Sequence, residues 1–153
     1  MQLQVKILNP KIGQDPSFPL PTRATNGSAG IDLRACIDAP LTIKAGTTVL
    51  VNTGLAIYIG NPNYVGLIMP RSGLGHKHGI VLGNLTGVID SDYQGEIMVS
   101  IWNRSQTDYT LQPAERMAQY LVMPITHPKF EVVRDFSDIS TRGFDGFGSS
   151  GTI

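Results

Sequence analysis

The stretch Gly87-Val-Ile-Asp-Ser-Asp-Tyr-Gln-Gly-Glu-Ile-Met-Val-Ser-Ile-Trp102 decides the architecture. Its second half alternates: Ile97, Val99 and Ile101 fall on one side, Met98, Ser100 and Trp102 on the other. That two-residue period marks a half-buried strand. Before it, Leu85–Ile89 is a shorter strand pattern. The polar segment from Asp90 to Gly95 joins the two, and apolar strands around a polar turn predict a β-hairpin.

Working outward, the same short patterns recur. Strands are predicted at Gln4–Leu8, Gly30–Ala35, Tyr64–Met69, Ile80–Leu82, Arg116–Ile125 and Phe130–Val133, and over Val49–Ile59 with Gly54 as a break. The 17 glycines and 10 prolines fall largely between them with Asn and Asp, which supply turn conformations. The best helix candidate is Ser72–His78, weakened by its two glycines. Many short strands without long helical patterns predict an all-β chain with at most one short helix, either a barrel or a jelly-roll sandwich. At 153 residues the chain suits one domain. We place a β-barrel body at 1–138 and a flexible C-terminal arm at 139–153.

Charge narrows the function classes. Lysine plus arginine (12) balances aspartate plus glutamate (12), so no broad field steers the chain to nucleic acid or an anionic membrane. A polyanionic ligand must be held by a local cluster. The single cysteine, Cys36, allows no internal disulfide and no zinc knuckle, which fits a reducing compartment. Met1 to Leu20 lacks a continuous apolar signal core, and no apolar run approaches the ~20 residues of a membrane span. The expected location is the cytoplasm.

Four segments carry candidate chemistry. In Met69-Pro-Arg-Ser-Gly-Leu-Gly75 a strand runs into a glycine turn whose amides can converge on an anion, with Arg71 adding charge and Ser72 a hydroxyl. The commoner role of such a segment is an ordinary loop. Asp90 sits where the hairpin strand enters its turn, placed to orient and deprotonate a water. A turn aspartate bonding its own backbone is the bland alternative. Tyr93 suits stacking on a ring or packing across the hairpin. In Ala29-Gly-Ile-Asp-Leu33, Asp32 points away from the face of Ile31 and Leu33, towards a magnesium ion or simply towards solvent. In Glu115-Arg-Met-Ala-Gln-Tyr-Leu121, alternation puts Arg116, Ala118 and Tyr120 on one face and Glu115, Met117, Gln119 and Leu121 on the other. Arg116 and Gln119 then meet one ligand only at the strand end. His76 and His78 lack a third metal ligand nearby. His127, before Pro128, reads as a loop residue, and Cys36 as core.

The last segment, Arg142-Gly-Phe-Asp-Gly-Phe-Gly-Ser-Ser-Gly151, is glycine-rich with little apolar matter. Such a composition is most often a frayed terminus, yet an arginine, an aromatic ring, small hydroxyls and glycines are also what a phosphate-clasping flap needs.

Together, Ala29–Leu33, Pro70–Gly75, Gly87–Gly95, Glu115–Gln119 and Arg142–Gly151 resemble the five ordered motifs of the trimeric deoxyuridine triphosphatases. Gly83-Asn84 and Ser100–Arg104 are similar to the bacterial branch. The resemblance implies a jelly-roll-like distorted β-barrel with a flexible C-terminal arm, and a homotrimer that hydrolyses dUTP to dUMP and pyrophosphate with Mg2+. It implies sites shared among three subunits, with the third motif and the C-terminal arm each coming from a neighbour. By resemblance, Asp90 activates the attacking water and Tyr93 packs on the deoxyribose. Asn84 and the hairpin as far as Met98 read uracil. Arg71, Ser72, Gly73 and Gln119 contact phosphates, Arg116 adds charge there, and Asp32 organises the water shell of the metal. On the arm, Arg142, Ser149 and Ser150 meet the terminal phosphates, Phe147 stacks on uracil, and Gly148 lies among these substrate contacts. The chain departs from the family in Ala114, where glycine is usual, in Phe144-Asp145, and in Ser150, where threonine is frequent. The rivals are a dCTP deaminase of the same fold and a non-catalytic nucleotide-binding module.

Overall fold

The structure, a computed structural model, describes residues 1–138 and 140–144. Ten strands and one helix follow in the order β1 (Gln4–Ile7), β2 (Ile31–Arg34), β3 (Leu41–Ile43), β4 (Thr48–Tyr58), β5 (Tyr64–Pro70), α1 (Ser72–His78), β6 (Ile80–Leu82), β7 (Gly87–Ile89), β8 (Glu96–Asn103), β9 (Tyr109–Leu111) and β10 (Arg116–Pro124). One four-stranded sheet has the order β1-β4-β8-β6, a second β2-β10-β5-β7, and β3 pairs with β9 as a ribbon. The all-β expectation with one short helix holds. The sheets stay open, with edges at β1 and β6 in one and β2 and β7 in the other, so they do not close into a barrel.

Alternation builds the core. Ile97, Val99 and Ile101 of β8 are buried, as are Val51 of β4 and Leu82 of β6. Leu33, Ile68, Ala118 and Tyr120 answer from the second sheet, and Ile43 and Leu111 from the ribbon, in one contiguous cluster. Each large side chain sealed there stabilises the fold by about 1.5–3 kcal/mol before entropy is charged against it. The predicted break at Gly54 is a register slip between Asn52 and Ala56. Gly54 takes φ +69, a conformation that favours glycine. Buried Thr53 donates its hydroxyl to the Ile97 carbonyl at 2.6 Å, and Glu96 accepts the Gly54 N–H at 2.9 Å.

Three expectations change. Phe130–Val133 forms no strand: Phe130 and Val132 are 94% and 97% exposed. β propensity expresses itself only when a neighbouring strand is there to pair. The strand expected from Leu85 begins at Gly87, because Leu85 turns to φ +63. β3 and β9, three residues each, are additional strands. No helix among the described residues is long and apolar enough to cross a membrane.

Candidate functional site

Two clusters of chemistry stand at opposite ends of one strand pair. The first surrounds Asp32. On β10 the register slips between Arg116 and Ala118, so Met117 and Ala118 are both buried. This bulge overturns simple alternation and brings Arg116 to the face of Gln119. Gln119 lies directly opposite Asp32 on β2. Arg116 Nη1 donates to Asp32 Oδ2 at 3.3 Å. Arg71, just past β5, places Nε 3.0 Å from Asp32 Oδ1 and donates from Nη1 to the Arg116 carbonyl at 3.2 Å. The Nε–Oδ1 contact is out of line for a hydrogen bond, and both atoms are buried without such a partner among the described residues. One carboxylate thus braces two arginines and leaves a net positive face.

Ser72 and Gly73 open α1 beside Arg71. The first amides of a helix have no intrahelical acceptor, and here no N-cap side chain takes them up. The space over Gly73 is open: an added Cβ would meet nothing within 4 Å. The helix ends at Gly79, whose φ of +68 closes it in the left-handed conformation.

The second cluster is the hairpin. Asp90 is exposed, directly after β7. Its carbonyl accepts the Tyr93 N–H at 3.2 Å, and the Tyr93 hydroxyl donates to the Glu96 carbonyl at 3.0 Å. Gly60 N–H pins the bend by donating to the Ser91 carbonyl at 2.9 Å. Asp90, Tyr93 and Met98 line one cavity of about 230 Å³ with Leu50, Val88 and Ile97. Asn84 is exposed in the turn after β6, where Gly83 N–H donates to the Ser100 carbonyl at 2.9 Å. Gly83 must be small there, because a Cβ would lie 2.7 Å from Ser100 Oγ.

The clusters do not meet within one chain. β7 pairs antiparallel with β5, Ile89 opposite Gly66, so Asp90 lies level with Val65 while Arg71 is six residues further along. At the rise of a strand that is about 20 Å.

The family model described as dUTPase matches residues 16–151. The chain belongs to the dUTPase family. It is 71% identical over 149 residues to the deoxyuridine 5'-triphosphate nucleotidohydrolase of Psychrobacter sp. (strain PRwf-1), covering 97% of each chain. It is 59% identical over 151 residues to that of Acinetobacter baumannii, covering 99% of each. Among solved structures it resembles the Staphylococcus bacteriophage 80alpha dUTPase with dUPNHPP, at a TM-score of 0.81 and 27% identity over 98% of both chains.

Arg142 is exposed. Phe147, Gly148, Ser149 and Ser150 lie outside the described residues, as does Asp145. Two residues that motif reading passed over stand out. Arg34 follows Asp32 by two positions on β2, faces Arg116 across the ladder and donates from Nη1 to the Ala114 carbonyl at 2.8 Å. Its i, i+2 spacing from Asp32 was a usable signal. Tyr109 donates its hydroxyl to Glu115, and its ring lies 5.4 Å from that of His78. Burial first, then the Glu115 carboxylate, pushes the Tyr109 hydroxyl well above its ordinary pKa. It therefore stays a donor, linking the end of α1 to the head of β10. Only its placement in space reveals it.

A magnesium ion finds no ready-made protein cage here. The described residues contain no group of three His, Cys, Asp or Glu side chains able to hold a metal. Asp32, already shared by two arginines, is the carboxylate of the arginine cluster. Mg2+ keeps several waters and takes one or two carboxylates with substrate phosphates, so these residues fit an ion brought by the substrate and met through water.

Proposed function

We propose that the chain is a dUTP diphosphatase, converting dUTP to dUMP and pyrophosphate by attack of water on the α-phosphorus. One observation carries the reading: Asp90 is exposed at the hairpin bend and shares its cavity with Tyr93 and Met98. The named activity of the relatives supports it.

Asp90 accepts a proton from the water as it attacks, and Arg71 and Arg116 stabilise the charge that develops on the phosphates. Ser72, Gly73 and Gln119 orient the phosphate chain. Magnesium bound with the substrate supplies charge neutralisation at the phosphates. Asp32 would meet that ion through water while bracing the two arginines. Tyr93 packs on the deoxyribose and leaves no room for a 2′-hydroxyl. Asn84 and the hairpin amides read uracil. Thymine differs by one methyl, which attraction alone separates weakly, so rejection is steric.

The distance between the clusters supports a site completed by other copies of the chain, in a homotrimer. Residues 139–153 would act as an arm bringing Arg142, Phe147, Gly148, Ser149 and Ser150 to a neighbour's site. The working partner is the nucleotide, in the cytoplasm, with no nucleic acid or membrane.

The test is pyrophosphate release with Mg2+ across dUTP, dCTP, dTTP and UTP. Turnover of dUTP far above the others is expected. Comparable turnover of all four, or ammonia released from dCTP, contradicts the reading.

A further inference from the structure

Three guanidinium groups gather on one face of the second sheet around the single carboxylate of Asp32. Two of them touch it directly. The third, Arg34, turns instead to the Ala114 carbonyl at 2.8 Å. Partial burial, then like charge from Arg116, works against an arginine placed here, and the Asp32 carboxylate offsets only part of that. Such a placement calls for a compensating role.

Ala114 suggests one. It is buried and takes φ +60, the left-handed conformation that a Cβ disfavours and glycine adopts freely. It is stitched to β2 on both sides: its N–H donates to the Ala35 carbonyl at 2.9 Å, and Ala35 N–H donates to the Glu115 carbonyl at 2.9 Å. Arg34 takes the remaining carbonyl. Two residues later Arg116 opens β10, and the bulge that follows turns it towards Asp32.

We infer that Arg34 is a positioning residue: it clamps the strained peptide at Ala114 and so fixes the turn that aims Arg116 at the phosphate face. The inference rests on the proposed phosphate role of Arg116, so its test separates clamp from site. If the clamp offsets backbone strain, removing the strain makes it dispensable. Gly at position 114 removes the strain.

The experiment is a double-mutant cycle with R34Q, A114G and R34Q/A114G in the full chain, reading melting temperature and dUTP kcat and KM. R34Q alone is expected to lower the melting temperature and raise KM roughly tenfold with kcat within about twofold. In the A114G background the same substitution should shift neither by more than about threefold in KM or a small part of the melting change. Additive changes in melting temperature, of whatever sign for A114G, overturn the clamp. A KM loss that A114G does not restore makes Arg34 a direct phosphate contact and overturns the positioning role. Parental KM in R116Q overturns the phosphate reading, and with it the positioning role, while leaving the stability coupling readable.

Discussion

Arg71 and Asp90 lie at opposite ends of the β5–β7 pair, because each follows the last residue of its strand and the strands run antiparallel. The arginines we propose for the phosphates and the carboxylate we propose for the water therefore stand about 20 Å apart along one chain, which favours a site shared between chains. Everything proposed about catalysis inherits that separation.

Asp90 is exposed and contributes no packing, so removing its charge should affect chemistry alone. Asp90→Asn is expected to lower kcat by roughly 10²–10⁴-fold, the usual worth of a general base. Its melting temperature should match the parent. Parental turnover in a folded Asp90→Asn protein contradicts the role.

Gly73 offers a separation of the opposite kind. Nothing lies within 4 Å of a Cβ added there, and alanine favours the helix by about 0.5–1 kcal/mol over glycine. Gly73→Ala should therefore melt slightly higher yet show a raised KM for dUTP, because the methyl occupies the space assigned to phosphate. A calorimetric melt and steady-state kinetics check both. Unchanged KM would remove Gly73 from the phosphate contacts.

Much of this architecture is legible in the chain because burial imposes a period. Ile97, Val99 and Ile101 cannot alternate so regularly unless one face of β8 is inside. Phe130–Val133 has the same residue types but no partner strand, and composition cannot reveal a missing neighbour. β3 and β9 are too short to show any period. On β10 the bulge at Met117 hides the shared face of Arg116 and Gln119, since alternation carries no mark of an inserted residue. The glycines of α1 weaken its signal in the sequence, and the space around them does not explain their choice: a Cβ at Gly73 would meet nothing within 4 Å, and one at Gly75 would make an ordinary contact with Val81 Cγ1 at 3.4 Å. The motif residues could be found, but the two-arginine brace on Asp32 and the Tyr109–Glu115 link exist only in three dimensions.

Tyr120 carries a buried hydroxyl with no hydrogen-bond partner among the described residues, and burial pushes its pKa up to about 12. Removing an unsatisfied buried group recovers its desolvation cost, so Tyr120→Phe should stabilise by about 1 kcal/mol. Gly66→Ala should destabilise by about 1–3 kcal/mol, because its Cβ would fall on that hydroxyl. Urea unfolding measures both, and a destabilised Tyr120→Phe would mean the hydroxyl has a partner.

Cys36 is half-buried against the core, and burial raises its thiol pKa above the ordinary value. A raised pKa leaves less thiolate at neutral pH. Iodoacetamide should therefore modify Cys36 more slowly than a free thiol at pH 7, with the rate climbing only as pH passes above the ordinary cysteine range. Rapid alkylation at pH 7 would show the side chain to be open.

The most direct test mixes two inactive proteins. One carries Asp90→Asn with Arg71 intact, the other Arg71→Gln with Asp90 intact. They are unfolded together in equal amounts, refolded and assayed for dUTP turnover. If Asp90 and Arg71 of one site come from different chains, about a quarter of the parental activity should return, the chance that both contributing copies are intact. No recovery, from mixed oligomers verified by mass spectrometry, would contradict a site built between chains.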